Sequence, residues 1–329
     1  MIALFALALL AHAPKPLAQP WRELAPGVET ASVADLGGDA NWAAKVVLVA
    51  PGRATFAVRY DPSRPPLAEW RARYPNALAI LNGSFYSTDG PAGAEVRPTC
   101  DLVSASRSVR GAGCHRQDAL FFGARSKPVE PPLPARAVTG AAAPAQVSTR
   151  VPATNVPAAR PLAAKPPEAK PPAQKTSTAK LPAVTASAQG TNSSHPRPSA
   201  AANPGAPQIL AGADFHPEQW SEALKSFPAL VHAGVPACLG VHYCAESSRT
   251  AAVAQLRDGG ILLFASQWPA IRRDVGTWLA EDLGAVEALN LDGGPEATLA
   301  LRGEPLEDSI GTQGVGLPIV IVVLPPGDR

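Results

Sequence analysis

Ala288-Leu289-Asn290-Leu291-Asp292-Gly293-Gly294-Pro295-Glu296-Ala297-Thr298 decides how this chain is read, because an apolar run gathers polar groups at its end and then stops abruptly. Side chains alternate across a strand, so Asn290 and Asp292 share one face while Leu289 and Leu291 share the other. Gly293 and Gly294 then remove side chains where a substrate or another backbone could come close, and they permit the positive φ of a tight turn. The plain alternative is an Asp-Gly hairpin turn, which is a common object.

The same device occurs earlier. Ala77-Leu78-Ala79-Ile80-Leu81-Asn82-Gly83-Ser84-Phe85-Tyr86 reads as a buried strand ending in polar and small residues, with Asn82 and Ser84 facing the same way. Asn82-Gly83-Ser84 fits a glycosylation sequon, but an asparagine at the end of a core strand is a poor acceptor. Working outward, residues 46–50 and 54–60 read as a strand pair joined at Pro51-Gly52. Leu67, Trp70 and Tyr74 carry helical spacing over 65–74. Residues 89–116 read as a long loop, and 119–123 as a strand. Further on, 217–225 reads as a short helix with Asp214 as its cap. Two strands, 249–256 and 260–265, flank Asp258-Gly259, a strong hairpin signal. A helix over 271–282 is stopped by Gly284, and 286–292, 297–301 and 315–323 are the last strands.

Composition isolates one segment. From 128 to 207 there is no aromatic residue, and 17 of the 37 prolines fall there. Such a stretch cannot bury enough apolar surface to offset the entropy of ordering its backbone, so it reads as a disordered or polyproline-II-like linker insertion. It also holds eight Lys/Arg against Glu130 and Glu168, a net charge of +6 in a chain of +2. The remainder therefore sums to −4, and the basic balance belongs to the linker. A nucleic-acid-binding fold would carry its basic patch on the domain itself, so no nucleic acid is expected as partner. Weak association of the linker with an anionic cell envelope is compatible with this charge.

The first residues, Met1 to Ala11, are a short apolar run followed by Ala11-His12-Ala13, which resembles a signal-peptide core and cleavage site, with 1–18 as the expected signal segment. The alternative is a buried strand or an uncleaved anchor. No segment has transmembrane length, since 319–324 is only strand-long. Export to a periplasmic or extracellular compartment favours disulfides, and local pairing suggests Cys100 with Cys114 and Cys238 with Cys244. A metal site built from Cys238, His242 and Cys244, with Cys114-His115 nearby, is the competing reading.

Outside signal and linker, 19–127 and 208–329 each hold strands but too little helix to cover them. One α+β domain is therefore predicted, a mixed, largely antiparallel sheet with a few covering helices, interrupted by the insertion 128–207.

Four segments, in order, resemble the phosphodiester glycosidase family, whose type activity removes N-acetylglucosamine from a sugar phosphodiester. Leu81 to Tyr86 is similar to its Asn-Gly-Gly-Phe-Phe stretch. Phe227-Pro228-Ala229-Leu230-Val231 with Gly234 is similar to its Gly-Pro-x-Leu-Val-x-x-Gly. Arg249-Thr250-Ala251 before Asp258-Gly259 resembles its Arg-Thr-Ala-Ile-Gly hairpin, and Ala288 to Thr298 its Ala-Leu-Asn-Leu-Asp-Gly-Gly-Gly-Ser-Ser-Thr. Ser84, Pro295 and Glu296 depart from that pattern, and the Arg249 hairpin is one residue longer.

The resemblance implies a bacterial-type exported hydrolase acting on a sugar-1-phosphodiester or related glycosidic bond. Such a substrate sets an anion beside a glycosidic bond, so its site needs a cation and a carboxylate. Arg249 is the candidate for the phosphate, Asp292 for the base, and Glu296 for a second carboxylate. Asn82, Asn290, Thr250, Gly293 and Gly294 are expected to wall the site and bind carbohydrate. A divalent ion such as calcium near Asp292 would suit the chemistry, although no sequence feature demands it. The chain has no Gly-x-Ser-x-Gly, no His-Glu-x-x-His and no phosphate-loop motif. The alternative from a different class is a non-catalytic module that binds glycans or the cell envelope.

Overall fold

The computed structural model describes residues 20–87, 96–114, 118–125, 206–239 and 242–328. The expected signal segment, His115 and nearly all of the insertion lie outside them. Among the described residues two α-helices, α1 (Leu67–Arg73) and α2 (Arg272–Glu281), accompany sheets of eight, five and four strands and two short pairs. Their ladders are all antiparallel, in keeping with an α+β domain.

Alternation along the strands explains the layering. In strand Ile319–Leu324, Ile319, Ile321 and Val323 enter one apolar cluster, while Val320, Val322 and Leu324 enter another with Leu67 and Trp70 of α1. In the eight-stranded sheet, Val253, Leu263 and Leu289 face the first cluster. Ala252, Phe264 and Ala288 face α2, through Val275, Trp278 and Leu279. The shared cluster therefore lies between the four-stranded and eight-stranded sheets, and each outer face is covered by a helix. Each fully buried Ile, Leu or Val there contributes about 1.5–3 kcal/mol.

The two halves interleave. Ala44–Val49 pairs with Ile261–Ser266, and Thr55–Tyr60 pairs with Ile319–Leu324. This corrects the expected pairing across Pro51-Gly52: both edges of Ala44–Val49 are already taken, by Val28–Ser32 and Ile261–Ser266, so the turn passes the chain from one sheet to another.

Two further expectations fail for local reasons. Only Pro217–Gln219 is helical, as one 3-10 turn; Trp220–Ser226 is a strand, because Leu224 enters the shared core while Trp220 and Ala223 pack on Phe121 behind it. Within 89–116, Leu102–Ser104 and Arg107–Val109 form a hairpin that turns at Ala105 and Ser106, with φ of 49° and 62°. Such turns are ordinarily written Asn-Gly, so Ala-Ser concealed this one.

Candidate active site

Two strand ends meet where the four-stranded and eight-stranded sheets join. Ala285–Asn290 lies between Ala251–Leu256 and Ala229–His232, and Ala79–Asn82 between Leu299–Leu301 and Ile319–Leu324. Past their ends the Asp292 N–H donates to the Gly83 carbonyl at 3.0 Å, and Asn82 Nδ2 donates to the Asp292 carbonyl at 2.7 Å. Asn82 Oδ1 accepts from the Thr298 N–H at 2.9 Å. The Asn290 amide donates to the carbonyls of Leu291 and Phe227 at 2.7 and 3.3 Å, while its buried Oδ1 has no hydrogen-bond partner among the described residues. Both asparagines thus spend donors on holding the backbone that presents Asp292.

The hairpin alternative is overturned. After Asp292 the chain makes a 3-10 turn, Gly294–Glu296, and joins strand Leu299–Leu301 in the other sheet. Gly293 is required by close approach, since a Cβ there would lie 2.7 Å from the Arg249 carbonyl oxygen. Gly294 supplies the positive φ, 62°, and its N–H donates to that same carbonyl at 2.9 Å.

Around this turn two carboxylates and three guanidinium groups gather. Asp292 Oδ1 accepts from the Gly293 N–H at 2.9 Å. Burial above all, then the negative charge of Glu296, raises the Asp292 carboxyl to about 7, against the lowering effects of the Gly293 N–H, Arg272 and Arg64. Tyr86 donates to Glu296 Oε1 at 2.9 Å and accepts from Arg64 Nη2 at 2.9 Å, with the Arg64 guanidinium 5.0 Å from its ring centroid. Burial and the bond to Glu296 raise the Tyr86 phenol, so it remains a donor.

Arg64 ends a tight turn with φ of 57°, an uncommon conformation for a side-chain-bearing residue that clusters at functional sites. Arg249 donates from Nε to the Gly294 carbonyl at 2.8 Å and from Nη2 to the Thr312 hydroxyl. Arg272, the first residue of α2, donates to the Tyr243 carbonyl at 2.9 Å and to Ser248 Oγ at 2.8 Å. Burial lowers both of these arginines from their ordinary value, but a guanidinium stays charged.

Arg249 sits between the short strand Ser247–Ser248 and the strand Ala251–Leu256, not within a strand as expected. Thr250 is fully buried: its hydroxyl donates to the Ser248 carbonyl at 3.1 Å, and its N–H donates to Ser266 Oγ at 2.9 Å. The structure thus brings together Asp292, Glu296, Arg249, Gly293 and Gly294, with Asn82, Asn290 and Thr250 behind them.

Cys100–Cys114 and Cys238–Cys244 are disulfides, which overturns the zinc reading of the cysteine cluster. His242 is exposed and pairs with Glu246 at 3.1 Å. The second bridge closes the loop that carries the Tyr243 carbonyl to Arg272. Among the described residues no group of three or more His, Cys, Asp or Glu side chains is placed to hold a metal ion, and the positive charges that act on the Asp292 carboxyl are Arg272 and Arg64.

Arg64, Tyr86 and Arg272 were not singled out from sequence. Tyr86 lay inside a quoted motif, and Arg272 was masked by its place in a helix start. Arg64, ahead of Pro65-Pro66, gave a turn signal but no chemical one.

The architecture and the site define an antiparallel α+β domain with a carboxylate–arginine centre at the junction of two sheets. Residues 173–324 match the family model of phosphodiester glycosidases, so the resemblance read from the sequence holds over that segment, which carries Arg249, Asp292 and Glu296. Among solved structures, the zebrafish N-acetylglucosamine-1-phosphodiester alpha-N-acetylglucosaminidase catalytic domain, auto-inhibited by its pro-peptide, is similar at 15% identity. That likeness covers 87% of this chain and 77% of the other, with a TM-score of 0.47. A Burkholderia pseudomallei K96243 protein described as exported is similar at 16% identity, over 86% and 74% of the two chains, with a TM-score of 0.47. No curated protein matches the sequence.

Proposed function

We propose that this chain is an exported hydrolase of the phosphodiester glycosidase type, cleaving a sugar-1-phosphodiester or a related glycosidic bond in an envelope or extracellular glycan. The observation that carries the reading is the gathering of Asp292 and Glu296 with Arg64, Arg249 and Arg272 around one turn. The two disulfides support an oxidising compartment.

The chemistry follows from the substrate. Breaking the bond between the anomeric carbon and the phosphate oxygen releases a phosphate monoester, whose growing negative charge needs cations more than a proton. The guanidinium groups meet that need in a partly desolvated site, where charge stabilisation is strongest. Asp292, titrating at about 7, takes a proton from the attacking water. Glu296, held by the Tyr86 hydroxyl, presents the second carboxylate to the positive charge that develops on the sugar ring.

Hydrolysis of a chromogenic sugar-1-phosphodiester by purified protein tests this. Asp292→Asn is expected to lower turnover by roughly 10²-fold to 10⁴-fold with the fold intact. Full activity in that variant overturns the assignment of Asp292. A native protein that binds glycans but turns over no phosphodiester would be a carbohydrate-binding module instead.

A further inference from the structure

Trp268 is 59% exposed, whereas Trp42, Trp70, Trp220 and Trp278 are at most 7% exposed. A single exposed aromatic residue is ordinary in itself; its position is what matters. The segment that carries it is tied to the active site on both sides. Before it, Gln267 Oε1 accepts from the Gly311 N–H at 2.9 Å, next to Thr312, whose hydroxyl takes the Arg249 guanidinium. One residue earlier, Ser266 Oγ accepts from the Thr250 N–H at 2.9 Å. After it, Ala270 pairs with Ser248, the neighbour of Arg249, and Arg272 donates to Ser248 Oγ. The Trp268 N–H itself donates to the Trp42 carbonyl at 3.1 Å, and Pro269 follows, so the backbone beneath the indole is fixed.

We propose that Trp268 is a platform on which a pyranose ring stacks beside the Asp292–Arg249 centre, so that the ligand is a glycan of more than one sugar. An indole offers a large, rigid, amphipathic face at low entropic cost, suited to the apolar C–H face of a sugar whose hydroxyls stay wet. The arginines and carboxylates take the sugar at the bond to be cut, and Trp268 takes a neighbouring one. This rests on the hydrolase reading for the identity of the first site, but the platform is tested by binding alone.

The probes are cellotetraose and chitotetraose, whose equatorial substituents leave flat C–H faces, with glucose and N-acetylglucosamine as single-sugar controls. Titration of full-length protein, followed by tryptophan fluorescence and calorimetry, is expected to show a tetrasaccharide bound more tightly than its monosaccharide. Trp268→Ala should reduce tetrasaccharide affinity by roughly threefold to tenfold. Trp268→Phe should recover part of it, and both variants should melt cooperatively because the side chain is exposed. Equal affinity in wild type and Trp268→Ala, no binding of either tetrasaccharide by wild type, or a fluorescence change that tracks protein concentration without glycan would each overturn the platform. Tetrasaccharide binding through Trp268 without phosphodiester turnover would instead leave the platform standing and remove the hydrolase reading.

Discussion

Asp292, the proposed base, ties the ionisation of the site to the stability of the fold. Its carboxyl titrates at about 7 in the folded chain and at an ordinary 3.8 when unfolded, so between those values the folded state binds the extra proton. Stability from this group is fully present below about pH 4 and is lost as pH rises through about 7. Asp292→Asn mimics the neutral form, so it should be more stable than wild type by roughly 1–3 kcal/mol at pH 8, allowing for partial exposure, and equal to it near pH 4. Urea titrations at the two pH values check this. On the proposed reading Asp292 acts as a base only when ionised, so kcat/KM of the native protein should rise with pH and level off above about 7. Tyr86→Phe removes the hydroxyl between Glu296 and Arg64 and should cost roughly 1–3 kcal/mol by leaving charged groups unpaired, visible as a lower melting temperature. Arg249→Lys keeps the charge but loses the fork that grips Gly294 and Thr312, so it should weaken phosphodiester substrates more than neutral glycosides.

At the scale of elements, the turn after Asn290 is controlled by two glycines for different reasons. Gly293→Ala would press a Cβ to 2.7 Å from the Arg249 carbonyl, forcing the Arg249 backbone away from the turn; a loss of roughly 1–3 kcal/mol and, on the proposed reading, of turnover is expected. Gly294→Ala meets nothing within 4 Å and costs about 1 kcal/mol through its positive φ alone. Paired thermal melts and assays separate the two. The polar end of 288–298 and the repeat at Asn82 were legible because a core strand that finishes in Asn, Asp and Gly breaks its own pattern. The strand Trp220–Ser226 was not, since Pro217 and its polar neighbours imitate a helix start and only packing against Phe121 and the shared core selects the strand. Pairing across Pro51-Gly52 misled because a turn signal does not say whether its strands stay in one sheet. Arg64 and Arg272 were invisible because no spacing joins them to Asp292; only the fold does.

At the scale of the whole molecule, the insertion hangs from a hairpin. Strand Leu120–Arg125 pairs with Pro207–Ala211, and Ala124 lies opposite Pro207. The segment between them therefore starts and finishes at neighbouring positions, and a short Gly/Ser loop could join them. The insertion, read from sequence as 128–207, yields its last residue to the strand Pro207–Ala211; we propose that 128–205 is dispensable for folding, and its replacement should leave a cooperative melt with little shift, because loop-closure entropy changes only logarithmically with length. A drop on the scale of a lost core strand would show that the segment packs. The interleaving of the halves has a second consequence. Ala44–Val49 and Thr55–Tyr60 from the first half are held by Ile261–Ser266 and Ile319–Leu324 from the second. Neither half could close its own core, yet each offers the other ready ladder edges. Cut once within the insertion, the chain should behave as a split protein: two fragments, unfolded and poorly soluble when expressed apart, that regain one folded body when they are refolded together.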